Sequence, residues 1–291
     1  MALTTYQAFE QFMTDITITD YQKTSIVEAR RKTVVANLAA AFPTTSDLPF
    51  HQGRLMGSAA KGTIVRPLDD IDVLAIFTNA QNAWTRYYND SQAFLYRIKR
   101  AYDGLSTAQV GARGQAIRLF FQGGGHVDIA PVFIQSTAED VYWLPSGDES
   151  WIKTAPFVAN KWFTDMNAEL GNSLAPLVRL LKKWNKAHSK RLRSFHLETM
   201  AGNTFGSLGS NQRTNLQKFF EWAGSHLDVS DPGRQGGLLS GYLSYNARTE
   251  VKQSFDAANE RALKATVAEE AADHEEAKRL WRIVLGTSFP N

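Results

Sequence analysis

Residues 57–77 read GSAAKGTIVRPLDDIDVLAIF, a stretch that begins as a turn and ends as a β-strand. The β-type residues near its end predict a strand from residue 71 to residue 77. Asp70 and Asp72 are two positions apart, so an extended chain projects both carboxylates from the same face. Ile71 and Val73 then point the other way, into a core. The spacing therefore places two carboxylates where they can share one metal site.

The residues around this carboxylate pair predict what it binds. Like charges held side by side are costly unless a proton or a cation neutralises them, and hard oxygen ligands suit Mg²⁺ or Mn²⁺. Gly57 and Ser58 precede a short helix that we expect to open at Ala59. A glycine lets phosphate approach the backbone there, and free N–H groups and the Ser58 hydroxyl add donors. The stretch therefore predicts a triphosphate seat beside a divalent metal.

A third carboxylate lies in residues 123–133, GGGHVDIAPVF, where Asp128 is flanked by apolar residues that indicate a buried strand. A charge in such a strand needs a reason. Two-metal phosphoryl-transfer sites hold ions ~3.5–4 Å apart and take about three carboxylates from neighbouring strands. We therefore expect Asp128 to bind the metal that activates the attacking hydroxyl.

Each of these motifs has a simpler interpretation when it is taken alone. Gly57-Ser58 is a common turn, and Asp70 with Asp72 is typical of a solvated strand end. Asp128 is equally consistent with an edge strand that exposes one acid. The three motifs in this order are far less common than any one of them, and the combination favours a phosphoryl-transfer site.

The rest of the chain predicts a sheet followed by helices. Apolar spacing predicts two helices between residue 5 and about residue 42, and a further helix at 91–102. Short β-type runs predict strands at 54–56, 71–77, 116–121 and 126–134. Helical segments follow at 158–170, 174–188, 195–203, 212–226, 251–273 and 275–285. We expect an α+β fold, with a catalytic lobe that includes the N-terminal helices at 1–157, a helical lobe at 158–291, and the active site in the cleft between them.

Composition excludes several classes of function. The 291 residues include no cysteine, which rules out disulfides, thiolate zinc sites and a cysteine nucleophile. The net charge is only +3, too small an excess to indicate a nucleic-acid partner. Residues 1–20 lack the basic start and apolar core of a signal peptide, and no apolar run approaches the ~20 residues of a membrane span. We expect a cytoplasmic protein with no membrane partner.

Taken together, the motifs resemble a known family. Gly57-Ser58, eleven further residues, Asp70-Ile71-Asp72 and a later Val127-Asp128-Ile129 resemble the signature of polymerase β-type nucleotidyltransferases. Residues 177–185 (LVRLLKKWN) and 194–198 (SFHLE) are similar to the helical lobe of the branch that contains cyclic GMP-AMP synthase and oligoadenylate synthetase. The Asp231-Pro232 loop and the ending at 286–290 resemble bacterial members of that branch, the CD-NTases, which are cyclic-oligonucleotide synthases of anti-phage defence.

The resemblance implies roles for particular residues. Lys182 and Ser194 would bind the donor triphosphate, and Phe195 would stack on a base. Asp70, Asp72 and Asp128 would hold two Mg²⁺ or Mn²⁺ ions. The substrates would be nucleoside triphosphates, condensed into a cyclic di- or trinucleotide second messenger with release of pyrophosphate. The residues alone leave simpler interpretations open, since Lys182 also suits a solvated helix face and Phe195 also suits core packing.

Three alternatives concern the acceptor and the activator. A linear oligonucleotide synthetase, or a terminal nucleotidyltransferase acting on RNA or protein, would use the same carboxylates and differ only in the acceptor. The basic residues Lys186, Lys190, Arg191 and Arg193 are consistent with either a nucleic-acid contact or a solvated helix end. Because the chain has no cysteine for a DNA-binding zinc ribbon, we do not expect a nucleic-acid activator. The sequence identifies no regulatory protein partner.

Overall fold

The computed structural model describes residues 3–104 and 110–291, and within them a seven-stranded sheet occupies the first half of the chain. The strands are β1 (Phe50–Met56), β2 (Asp70–Phe77), β3 (Val110–Arg113), β4 (Ala116–Phe120), β5 (His126–Ser136), β6 (Val141–Pro145) and β7 (Trp151–Thr154). The spatial order is β1-β2-β5-β4-β3, and β6 pairs with both β5 and β7. Only β2 and β5 run parallel among these pairs, so the sheet is mixed.

Helices surround the sheet and make up most of the second half of the chain. Those of the first half are α1 (Thr5–Ile16), a π-helical segment (Gln22–Glu28), α2 (Ala29–Ala41), α3 (Gly57–Lys61), α4 (Ala83–Tyr87) and α5 (Ser91–Lys99). Those of the second half are α6 (Pro156–Glu169), α7 (Leu174–Ala187), α8 (Ser194–Thr204), α9 (Gln212–Ala223), α10 (Tyr245–Glu270) and α11 (His274–Leu285). The predicted α+β fold, a sheet followed by helices, is confirmed.

Local sequence explains where several of these helices begin. Thr4 and Gln7 form a capping box at the start of α1, each side chain accepting from the other residue's backbone N–H. Asn211 and Asp273 cap α9 and α11 in the same way, with side-chain oxygens that accept backbone N–H groups. Pro156 occupies the first turn of α6, where its missing N–H costs nothing.

Three strands, β3, β6 and β7, were not predicted, and two other elements begin earlier than expected. β1 begins at Phe50 instead of residue 54, and α3 begins at Gly57 instead of Ala59. β6 and β7 extend the sheet beyond β5, although their sequences are only five and four residues long. Runs this short carry little periodicity, and pairing with a neighbouring strand decides their conformation.

Three apolar clusters hold these elements together. One lies under the sheet and includes Val73 and Phe77 of β2, and a smaller one on the other face includes Leu74 and Ile76. The largest lies among the helices of the second half, and it includes Phe12 of α1. Helix α1 therefore packs on α7 and α11, whereas α2 packs on β1. The division of the chain at residue 157 stays a prediction.

In the described part of the chain, no helix combines the length and the apolar character needed to cross a bilayer.

Candidate active site

The sheet brings the three predicted aspartates to one edge of two adjacent strands. Asp70 and Asp72 lie at the start of β2, and Asp128 lies near the start of β5. These strands run parallel in a register that pairs Asp72 with Asp128 and Asp70 with His126. Directly paired residues project from the same face of a sheet, so the register adds Asp128 to the face that carries the other two carboxylates.

The same face of β2 explains why the pair emerges where it does. Leu74 and Ile76, which follow Asp70 and Asp72 at the same two-residue spacing, are fully buried against Phe157 of α6. Asp72 is half-buried and Asp70 is exposed, because the strand leaves the core at this end. The apolar half of the strand fixes its position, and the polar half opens into a cavity.

The raised pKa of Asp72 shows that it is unfavourable to hold these carboxylates together in their charged form. Burial, followed by the charges of Asp70 and Asp128, raises the pKa of Asp72 to about 7. A carboxyl in this position prefers a proton to an uncompensated charge. A divalent cation on the Asp70 and Asp72 oxygens would remove the same conflict, so the donor chemistry of these two residues fits a hard metal ion.

Asp128 has a partner that the sequence did not predict. Its two oxygens accept hydrogen bonds from Arg118 of β4, from Nε at 2.8 Å and from Nη2 at 2.6 Å. His126 Nε2 lies 3.8 Å from one of them. Among the residues the structure describes, no group of three or more His, Cys, Asp or Glu side chains is arranged to hold a metal ion. Arg118 is therefore the cationic partner of Asp128 in this structure, and the role of Asp128 as a metal ligand stays a prediction.

Gly57 lies directly above Asp72. Its φ is +61°, a left-handed conformation that favours glycine, and a Cβ at this position would collide with Asp72 Oδ2. The strand pairing explains the proximity, since Met56 at the end of β1 pairs with Asp72. Only a residue without a side chain allows the backbone of the Gly57-Ser58 turn to lie this close to the carboxylate pair.

A buried cluster of charges lies next to this turn, and sequence reasoning missed it. Glu198 of α8 forms ion pairs with Lys61 of α3 and with Lys182 of α7, the latter at 2.6 Å. Thr63 donates its hydroxyl to Glu198 at 2.9 Å and accepts Lys182 Nζ at 3.0 Å. The three charged side chains are at most 10% exposed. The cluster joins α3, which carries Ser58, to two helices of the second half.

The charge balance keeps Glu198 ionised. Burial by itself would raise the pKa of this carboxyl, but Lys182 and Lys61 outweigh burial and hold the pKa below its ordinary value. Two ammonium groups thus face one carboxylate, and one positive charge remains in excess. The SFHLE segment contained one indication that Glu198 belongs to the site. Glu198 follows Phe195 by about one helical turn, so both side chains lie on the same face of the helix.

Ser194 and Phe195 lie at the first turn of α8. Ser194 is exposed, and Phe195 is half-buried with Lys61 Nζ 5.0 Å from the centre of its ring. Lys183, next to Lys182, is also half-buried, and burial followed by the charge of Lys186 lowers its pKa. Lys186 lies 3.9 Å from Asp69, but both side chains are well exposed, so this pair is weak.

One cavity of about 530 Å³ collects most of these groups. Its lining includes seven of the eight predicted site residues, all except Asp128: Gly57, Ser58, Asp70, Asp72, Lys182, Ser194 and Phe195. Asp231 of the loop after α9 also lines it, and its carboxylate accepts the backbone N–H groups of Gly233 and Gly236. A volume of this size suits a nucleotide-sized ligand. Carboxylates thus share the cavity with ammonium, hydroxyl and aromatic groups.

The site combines aspartates on two parallel strands, a glycine-serine turn next to them and helices of the second half of the chain across the cavity. This combination defines a nucleotidyltransferase of the polymerase β type. A sequence profile of the second messenger oligonucleotide or dinucleotide synthetase domain matches residues 1–167. The chain belongs to this family.

Relatives agree with this assignment along most of the chain. It is 26% identical to a probable cyclic nucleotide synthase of Bacillus cereus, over 100% of this chain and 99% of that protein. A cyclic AMP-AMP-AMP synthase of an Acinetobacter strain is 25% identical, over 81% of this chain and 72% of that protein. The solved structure of Escherichia coli CdnC with ATP has a TM-score of 0.81 at 19% identity and covers 99% of both chains. That last likeness shows the fold.

Proposed function

We propose that this chain is a magnesium-dependent synthase that condenses nucleoside triphosphates into a cyclic di- or trinucleotide and releases pyrophosphate. The observation that carries the proposal is the placement of Asp70 and Asp72 in one cavity with the Gly57-Ser58 turn and Lys182. Negative groups at one part of this cavity suit metal ions, and positive groups at another suit the phosphates those ions accompany.

The proposed roles follow the positions of the side chains. Asp70 and Asp72 would hold the divalent ions, either Mg²⁺ or Mn²⁺. When bound, such ions polarise phosphate oxygens and favour the deprotonated form of an attacking hydroxyl. Asp128 would complete the ligand set by exchanging Arg118 for a metal ion, because both of its oxygens are otherwise occupied.

The phosphate groups would be held by side chains around the turn. Ser58 and Ser194 offer hydroxyl donors, and Lys182 offers an ammonium group that Glu198 and Thr63 already hold in place. Phe195 would stack on a base, an interaction worth ~1–3 kcal/mol per base. Groups fixed before the substrate arrives need no reorganisation during the reaction, which is where most of their catalytic value lies.

The reaction itself is an in-line displacement. A ribose hydroxyl oxygen of one nucleotide forms a bond to the α-phosphorus of the donor, and the bond from that phosphorus to the pyrophosphate oxygen breaks. The hydroxyl proton would leave on the side of Asp128. A final transfer would close the ring: the free ribose hydroxyl of the linear di- or trinucleotide attacks the α-phosphorus of its own triphosphate end, and another pyrophosphate leaves.

The relatives guide the choice of substrate and setting. Because one relative is named a cyclic AMP-AMP-AMP synthase, ATP alone is the first substrate to test. E. coli CdnC has also been solved in complex with a HORMA protein, so a regulatory protein partner belongs to the proposal. We further propose a cytoplasmic enzyme that acts in anti-phage signalling.

Mass spectrometry of the products tests this function. The purified chain is incubated with each nucleoside triphosphate, alone and together, with Mg²⁺ or Mn²⁺, and the products are treated with phosphatase. A cyclic product has no terminal phosphate and survives this treatment. The control is the double variant Asp70→Asn, Asp72→Asn, which should yield no product. A phosphatase-sensitive product would overturn the cyclic assignment in favour of a linear synthetase, and labelling of RNA or protein would indicate a terminal transferase.

A further inference from the structure

A second cavity, of about 560 Å³, lies among the N-terminal helices and is not explained by the proposed reaction. Residues of α1, the π-helical segment and α2 line it, together with the Gly123-Gly124 turn that precedes β5. Three cationic side chains contribute to its lining: Arg30, Arg66 and Lys183.

These three cations have no carboxylate partner. Within residues 3–104 and 110–291, none of them lies in an ion pair. Arg30 Nη2 donates to the carbonyl of Gly124 at 2.6 Å, and Arg66 Nη2 donates to the carbonyl of Thr14. Each guanidinium also retains a buried nitrogen without an acceptor, Nη1 of Arg30 and Nε of Arg66.

The one acid of the lining does not neutralise them. The Asp15 carboxylate is exposed and accepts a hydrogen bond from Gln11 at 2.8 Å. By contrast, Lys182 and Arg118 in the active site each have a carboxylate partner, Glu198 and Asp128 respectively. The cluster in the second cavity therefore carries an excess of positive charge that no carboxylate among the described residues compensates.

Burial makes that excess charge costly. It lowers the pKa of Arg30, and burial is likewise the largest cause of the lowered pKa of Lys183. A partly buried cation without a counter-ion destabilises the fold, and an anion that enters the cavity would supply the missing charge and the missing acceptors. Arginine in particular suits phosphate, because its planar fork matches two phosphate oxygens.

The remaining walls are mostly apolar, with Gln22 and Ser288 as the uncharged polar side chains of the lining. Phe12, Ile16 and Ile26 line the cavity beside the cations. Such walls would exclude water around an organic group, and the volume is typical of a small-molecule site. A concave site with half-buried cations also differs from the exposed basic surfaces that follow a nucleic-acid backbone.

We propose that this cavity is a second ligand site, separate from the catalytic cleft, that binds a small organic phosphate through Arg30, Arg66 and Lys183. Arg66 and Lys183 also line the active-site cavity, so a substitution of either residue would affect both sites. Arg30 lines only the second cavity, which makes it the residue that separates the two.

The test measures binding directly and needs no turnover. Isothermal titration calorimetry in EDTA follows 1-naphthyl phosphate binding to the full chain, since EDTA removes the metal that a nucleotide in the cleft would use. Three variants are compared with the wild type. Arg30→Gln removes a cation of the second cavity, Ser194→Ala alters the cleft, and Lys23→Gln removes an exposed charge of the π-helical segment that lines neither cavity.

The expected result is a Kd raised at least about tenfold by Arg30→Gln and unchanged by the other two variants. Equal binding by wild type and Arg30→Gln would overturn the proposal, and so would a loss of binding in Ser194→Ala, which would place the ligand in the cleft. Tighter binding of duplex DNA than of the phosphate, with the same dependence on Arg30, would overturn it in favour of a nucleic-acid surface. None of these outcomes depends on whether the chain makes a cyclic product.

Discussion

Replacement of Glu198 by glutamine tests whether charge holds the two halves of the active site together. The carboxylate lies between the ammonium groups of Lys61 and Lys182 and is 3% exposed. Glutamine keeps the shape and one acceptor oxygen but removes the negative charge. Two buried ammonium groups would then face each other without the carboxylate that pairs with both of them.

The expected loss of stability is large for a single atom's change. Removal of one partner from a buried ion pair costs roughly 3–5 kcal/mol, because the other partner stays buried and uncompensated. For a chain of this size each kcal/mol lowers the melting temperature by roughly 2 °C, so we expect a decrease of about 6–10 °C.

The pH dependence identifies charge as the cause. The pKa of Glu198 is held below its ordinary value, so the ionised group stabilises the wild type above the unfolded-state pKa of about 4.3. That contribution is lost as the pH falls through the lower pKa of the folded state. The difference between wild type and Glu198→Gln should therefore be full at pH 7 and should shrink below about pH 4.

Urea unfolding at pH 7, 5 and 3.5 measures this difference. Glu250→Gln is the matched control, because Glu250 pairs with Arg191 on the surface with 57% of its side chain exposed. This variant should unfold like the wild type. A decrease below about 1 kcal/mol for Glu198→Gln at pH 7, or a difference that stays constant at acid pH, would refute the view that charge holds this cluster.

Three further substitutions test the site itself. Asp72→Asn should abolish product. In EDTA it should also stabilise the fold, by an amount that grows as the pH rises above the unfolded-state pKa of about 3.9 and levels off above about 7, because in this range the wild-type carboxyl holds its proton in the folded state only. Urea unfolding at pH 4.5 and 8 measures this, and an unchanged difference would contradict it. Gly57→Ala should reduce product at least about tenfold. Gly62 has a similar φ but no atom near its Cβ, so Gly62→Ala should lose only the stability that backbone strain costs, about 1–2 kcal/mol. Equal activities of the two variants would show that the approach of Gly57 to Asp72 is unimportant. Arg118→Gln should lower the Mg²⁺ concentration that gives half-maximal activity, because it removes the guanidinium group that competes with Mg²⁺ for Asp128. A higher Mg²⁺ concentration at half-maximal activity would show instead that Arg118 holds Asp128 in position.

Local spacing was enough to predict the first two carboxylates but not their environment. Side chains two residues apart project from the same face of any strand, so the spacing of Asp70 and Asp72 was enough to predict that their carboxylates lie together. The pairing of Asp72 with Asp128 depends on the parallel register of β2 and β5, which no local pattern specifies. Resemblance to a family supplied this contact in advance, because the family motif already contains all three positions.

The partners of these residues were harder to predict, for a physical reason. Arg118 meets Asp128 only because β4 pairs with β5 in a particular register. Glu198 meets Lys61 across more than 130 positions of sequence, so its burial is a property of the packed helices. Charged residues are usually solvated, and their sequence gives no sign that tertiary structure will bury them.

The arrangement of Lys182 changes the meaning of the role that resemblance assigned to it. A lysine that waits for a triphosphate in open solvent would lose side-chain freedom and hydration when the substrate binds. Lys182 has already lost both, because Glu198 and Thr63 hold its ammonium group at 2.6–3.0 Å in a side chain that is 10% exposed. The same contacts leave one positive charge of the cluster unmatched by Glu198, beside the Gly57-Ser58 turn and near Asp72. Much of the cost of fixing a cation is therefore met before a nucleotide arrives. In the proposed phosphate seat, Glu198 would position Lys182 without any contact with the substrate.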